Sequence, residues 1–113
     1  MKYLMFVAID PDRPAEIDET GTLPIDEWVE KNDAAGTRLL GERLRPGGAA
    51  VVVRRREGKV LVTDGPFAET HEWIVGFDIL ECDSLDEAVT IASQHPVAAS
   101  GRLELRAFWE GDD

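Results

Sequence analysis

Two stretches of the 113-residue chain hold the side chains best suited to moving protons. The first is Asp64-Gly65-Pro66-Phe67-Ala68-Glu69-Thr70-His71-Glu72, which sets three carboxylates and an imidazole beside an aromatic ring. The second is Gln94-His95-Pro96. Histidine is the side chain whose ordinary pKa lies near neutrality, and a nearby carboxylate completes the usual acid–base pair. Asp64 and His95 are therefore the candidate catalytic residues, as base and acid. Phe67, Glu69 and His71 are candidate ligand contacts, together with Trp28.

Each of these residues also has a plain structural role open to it. Asp64 before Gly-Pro suits an Asx turn. His95 sits where a helix should end, so the dipole there favours its cationic form. Glu69 serves equally as a base or a loop cap, and Trp28 as core or as pocket lining. Cys82 is the single cysteine, so no intrachain disulfide and no thiolate cluster can form. Metal-ligand spacing, a phosphate-binding glycine loop and a triad context for Ser84 or Ser100 are all lacking, so no metal or cofactor is expected.

The candidate loop must be held by its flanking strands. Lys59 to Thr63 reads as one strand and Trp73 to Glu81 as the next, with the chain broken at Asp64-Gly65-Pro66. Before it, Ala49 to Arg55 pairs with Lys59 to Thr63 across Glu57-Gly58 as a hairpin. Lys2 to Ile9 is almost wholly apolar and reads as a strand covered on both sides, or as one whose second face meets another subunit. Asp10 to Thr22 reads as a long loop, either a lid or a surface insertion. Pro24 opens a helix with Ile25, Trp28, Val29 and Ala35 as its stripe and Gly36 as its stop. Arg38 to Leu44 is a strand interrupted by Gly41. Ser84-Leu85-Asp86-Glu87 is a capping box, followed by a stripe of Leu85, Ala88, Val89 and Ala92 up to Pro96. Arg102 to Trp109 is the last strand, and residues 110–113 form a frayed acidic tail.

Length and composition fit one compact domain, residues 1–113, with 43% hydrophobic and 31% charged residues. The apolar runs are far shorter than the roughly 20 residues of a membrane span. With no signal-peptide pattern, a cytoplasmic location away from membranes is expected. The net charge of −11 argues against a nucleic-acid partner. That charge is unevenly spread: −6 over residues 1–36, +5 over 37–60 and −10 over 61–113. The basic island is either a solvated hairpin or a surface for an anion or acidic partner.

Strand, helix, strand, hairpin, strand, helix, strand is the order of an α+β, ferredoxin-like split βαβ with an inserted β-hairpin. Two helices cover one face of such a sheet. The other face would carry side chains such as Phe6, Phe77 or Trp109, and a patch of that size marks an interface. The expected solution is a two-fold homodimer whose two sheets face each other as a dimeric α+β barrel.

Val62-Thr63-Asp64-Gly65-Pro66-Phe67-Ala68-Glu69-Thr70, with Gly76-Phe77, Leu85-Asp86-Glu87-Ala88 and His95-Pro96, resembles the YCII-related family, also known by its DGPF motif. The resemblance runs from Lys2 to Trp109. It implies the dimeric α+β barrel and an unidentified small molecule bound in a cleft between sheet and helices, with acid–base catalysis there. Some family members are encoded near, or fused to, alternative sigma factors of RNA polymerase. This implies a sigma factor as partner, and a non-catalytic interaction or regulatory module as the alternative function. Asp64 matches the motif aspartate, and His95 the polar position before the proline of the second helix end. The helix-borne histidine of related proteins has no counterpart between Pro24 and Ala35, and His71 stands where members commonly carry lysine. An acid–base pair would have to be assembled from Asp64, Glu69, His71 and His95.

Overall fold

The computed structural model describes residues 1–10, 12–45, 50–65 and 73–110, with Trp73 as backbone only. Among the described residues the elements are β1 (Lys2–Ile9), α1 (Ile25–Ala34), β2 (Arg38–Arg43), β3 (Val51–Arg56), β4 (Lys59–Asp64), β5 (Trp73–Glu81), α2 (Leu85–Ser93), α3 (Val97–Ser100) and β6 (Arg102–Ala107).

β1 is the centre of a four-stranded sheet in the order β2-β5-β1-β6, every neighbouring pair antiparallel. Its side chains alternate as the two-residue strand period requires. Tyr3, Met5 and Val7 are buried, whereas Leu4 and Phe6 are half-exposed on the opposite face. The buried set packs with Trp28 of α1, Leu80 of β5 and Ala88, Ile91 and Ala92 of α2, so both longer helices lie on one face. On the other face Phe6 stands directly opposite Phe77, and Leu4 opposite Ile79.

The helix ends follow their local chemistry. Pro24 precedes the first helical residue of α1, where a missing N–H costs nothing. Gly36 takes the left-handed conformation, φ 75°, just past its end. At α2, the Ser84 hydroxyl accepts the Glu87 amide at 3.1 Å, while the Glu87 carboxylate accepts the amide of Asp83 at 2.9 Å. The reach-back of the capping box therefore ends one residue earlier than its usual form. The buried stripe of α2 is Ala88, Ile91 and Ala92, continuing into His95, while Leu85 and Val89 are about half-exposed. The single-turn helix α3 was not anticipated; it fills the step between Pro96 and β6.

β3 and β4 form a separate two-stranded sheet. Their turn has two left-handed residues, Glu57 at φ 54° and Gly58 at φ 77°, the type I′ geometry that matches strand twist. Gly65 N–H closes the base of the hairpin on the Ala50 carbonyl.

The class is α+β, with a four-stranded and a two-stranded antiparallel sheet, but the expected dimeric α+β barrel is not what forms. Among the described residues the main sheet is open, with β2 and β6 as its two edges, and the hairpin does not join it. A barrel needs the edges of its sheets to pair, and among the described residues neither β2 nor β6 pairs on its outer side. The chain measures 48 × 43 × 22 Å with a radius of gyration of 16.3 Å. A compact domain of about 100 residues has a radius near 13 Å, so the chain is flat and extended. Among the described residues, no helix is long and apolar enough to cross a membrane.

Candidate functional site

His95 lies at the end of α2 with its ring inside the core, 4% exposed. Its Nδ1 accepts the Val97 amide at 3.0 Å, so the imidazole caps the first turn of α3. The ring stands edge-on to Trp28, centroids 4.8 Å apart. Trp28 is fully buried, and its Nε1–H donates to the Ile91 carbonyl at 2.9 Å. Burial pushes the His95 pKa down to about 4, so the ring is neutral at pH 7. Desolvation outweighs the helix dipole that would favour the cation.

No charged group contributes to that shift. Asp64 is exposed at the root of the hairpin, opposite Val51. Among the described residues no hydrogen bond or ion pair joins Asp64 to His95. Trp28 and His95 are thus brought together, one ring edge-on to the other. Phe67, Glu69 and His71 lie outside the described residues.

The buried charge is elsewhere. Asp78 points from β5 into the helix face of the sheet, 6% exposed. Its Oδ1 accepts from Arg38 Nε at 2.7 Å, and Arg38 Nη1 reaches Asp33 of α1 at 2.9 Å. Burial pushes the Asp78 carboxyl above its ordinary value, opposed by the Arg38 guanidinium. Burial likewise works to lower the Arg38 pKa, but the hydrogen bonds from Asp78 and Asp33 outweigh it and hold it raised. Gly41 of β2 is paired with Asp78, and a methyl group there would overlap both the carboxylate and the guanidinium. The glycine that interrupts the β2 pattern is the space the ion pair occupies. Nothing in the sequence ties Arg38 to Asp78, forty positions apart; the one sign is an acid at an inward position of β5.

Open surface grooves lie elsewhere among the described residues. One, of about 640 Å³, runs along α1 past Asp26, Val29 and Asp33. Another, of about 320 Å³, lies between α2, α3 and β6 over Val89, Ala98 and Leu103. Neither is lined by Trp28, Asp64 or His95.

The hairpin carries the more distinctive surface. Val51, Val53, Val60 and Val62 share one face, with Val53 directly opposite Val62. All four are more than half exposed, Val53 the most at 65%. The opposite face presents Arg54, Arg56 and Lys59 around Leu61. The signal for this was already in the alternation Val51-x-Val53 and Val60-x-Val62 about a two-residue turn.

Comparison with known proteins agrees with the motif. The chain is 50% identical over 66 residues to an uncharacterised protein of Rhizobium meliloti (strain 1021), a match covering 57% of this chain. The chain spans about half, 53%, of the length of that relative. A sequence profile for the YCII-related domain matches residues 1–111. The chain therefore belongs to the YCII-related domain family.

Proposed function

We propose that the protein is a non-catalytic interaction module that docks a protein partner through the β3–β4 hairpin. The observation that carries this reading is the uncovered valine face on a sheet of only two strands. A lone two-stranded hairpin is marginal in water, and a contiguous exposed apolar patch marks a contact surface. The basic face behind the valines adds attraction for an acidic protein surface. A sigma factor, the partner the family resemblance suggests, is one such protein to test.

The acid–base reading draws less support. The Nδ1 lone pair of His95 is engaged by the Val97 amide and its ring is buried, whereas Asp64 is exposed. A general base must reach the proton it takes, directly or through one water.

A photoreactive phenylalanine analogue at Val53, with one at Val89 of α2 as control, tests the proposal in cells of the source organism. Protein adducts should form at position 53 and not at 89. Equal capture at both positions, together with a metabolite that shifts the His95 ring resonances, would favour a ligand-binding protein instead.

A further inference from the structure

Resting on the hairpin reading, we infer that the partner enters as an extended strand on the free edge of β3, a strand in which an acidic run precedes an apolar one. A two-stranded sheet has two outer edges, and the register fixes which backbone groups stand on them. Gly65 N–H donates to the Ala50 carbonyl, and bonded pairs alternate with non-bonded ones from there. Val52 with Thr63, Arg54 with Leu61 and Arg56 with Lys59 are therefore the pairs that bond across the hairpin. The N–H and C=O groups of Val51, Val53 and Arg55 point away from β4. Among the described residues no backbone group meets them, and the Arg55 carbonyl alone has a partner, the Arg56 guanidinium at 2.9 Å. A row of this kind is the template on which an added strand pairs.

The residues of that edge set the chemistry of what joins it. β3 reads Val51-Val52-Val53-Arg54-Arg55-Arg56, three valines and then three arginines. Val51 and Val53 are more than half exposed, and all three arginines are exposed. Opposite residues of neighbouring strands lie side by side, so each valine suits an apolar neighbour and each arginine a carboxylate. An antiparallel strand, the more stable pairing, then reads from its N-terminus as three acids followed by three apolar residues.

Other arrangements match the edge less well. The β4 edge carries Lys59 against Asp64, and the aspartate repels an acidic strand. A second β3 laid antiparallel would set arginines against valines, so the edge selects against another copy of itself. Nucleic acid would meet the arginines and leave the valines uncovered.

The probe is a fluorescent synthetic peptide of three glutamates followed by valine, threonine and valine, with serines at both ends. The wild-type chain should bind it, and binding should weaken as salt screens the arginines. The same peptide with lysines in place of the glutamates should not bind. In the complex the Val51, Val53 and Arg55 amides should gain protection in hydrogen exchange, while those of Val60 and Val62 on the other edge should not. Val53→Pro removes one outward N–H and none of the bonds to β4, and should weaken binding about tenfold, the effect of one lost hydrogen bond. Arg54→Glu/Arg56→Glu leaves the backbone intact and should weaken it by about tenfold or more. Protection confined to Val60 and Val62, an affinity indifferent to both variants, or retention of single-stranded DNA in place of the peptide overturns the inference. A chain that ignores the peptide yet forms protein adducts from position 53 in cells keeps the hairpin as a docking surface and loses only the added strand. No peptide binding and no adducts at 53 remove both.

Discussion

The imidazole of His95 stands edge-on to the indole of Trp28, ring centres 4.8 Å apart and planes at 71°. Both rings end their polar edges on backbone: Trp28 on the Ile91 carbonyl, His95 on the Val97 amide. The pair locks the end of α2 to α1, and its interest is a proton that folding keeps away.

In the unfolded chain His95 binds a proton near its ordinary value of 6.5, and in the fold only near about 4. Between those values the unfolded state carries more protons, so stability rises with pH. It should be complete above about 6.5 and decline as the pH falls towards 4, by about 3 kcal/mol in total. Urea unfolding across that range should show the slope, and His95→Gln should flatten it. By NMR the His95 ring should titrate far below 6.5, and Asp64→Asn should leave its midpoint unchanged. A midpoint that drops in Asp64→Asn would show the two residues sharing a site.

Gly41→Ala should be the most damaging glycine substitution among those in the main sheet. Its methyl collides with both members of the buried Arg38–Asp78 pair. Displacing one partner strands a buried charge, a loss of about 3 kcal/mol. Gly76→Ala, whose methyl would come within 3.1 Å of the Glu42 carbonyl oxygen and 3.7 Å of Arg43 Cα, should lose clearly less. Chemical denaturation of the two variants side by side decides it; equal losses would remove the assigned role of Gly41.

Glu57 holds φ at 54°, a conformation that costs a side-chain-bearing residue about 1 kcal/mol. Asparagine tolerates it and, with Gly58 following, makes the favoured turn pair. Glu57→Asn should therefore raise the protection of the Arg54 and Leu61 amides, which bond across the hairpin, by a few-fold in hydrogen exchange. Amides outside the hairpin should not change, because β3 and β4 pair only with each other. A uniform change through the whole chain would show that the hairpin does not open separately.

Local rules read much of this architecture from the sequence. The Glu57-Gly58 turn, the Ser84 cap and the Gly36 stop each depend on residues within a few positions, where propensity and geometry agree. What stayed hidden depends on partners distant in sequence. The α2 stripe was assigned to Leu85, Ala88, Val89 and Ala92; Ala88 and Ala92 are buried, but Ile91 and His95 complete the stripe in place of Leu85 and Val89, an equally regular spacing once histidine is allowed a place in the core. The burial of Asp78 is decided by Arg38 and by the space at Gly41, which no local pattern shows. The barrel expectation failed for a related reason. An apolar sheet face indicates that something covers it, but not that another sheet does. For the candidate site, the residue types at Asp64 and His95 were legible, whereas the exposure of the one and the burial of the other were not.

The position of β1 also bears on how the chain is made. Both of its neighbours are supplied late, β5 beginning at Trp73 and β6 at Arg102. At about 5–20 residues per second, the ribosome leaves the Lys2–Ile9 strand unpaired for on the order of ten seconds. During that interval the most apolar segment of the protein has no sheet to enter, while the hairpin can already close within microseconds. Translation speed through residues 10–72 thus sets how long the nascent chain depends on chaperones.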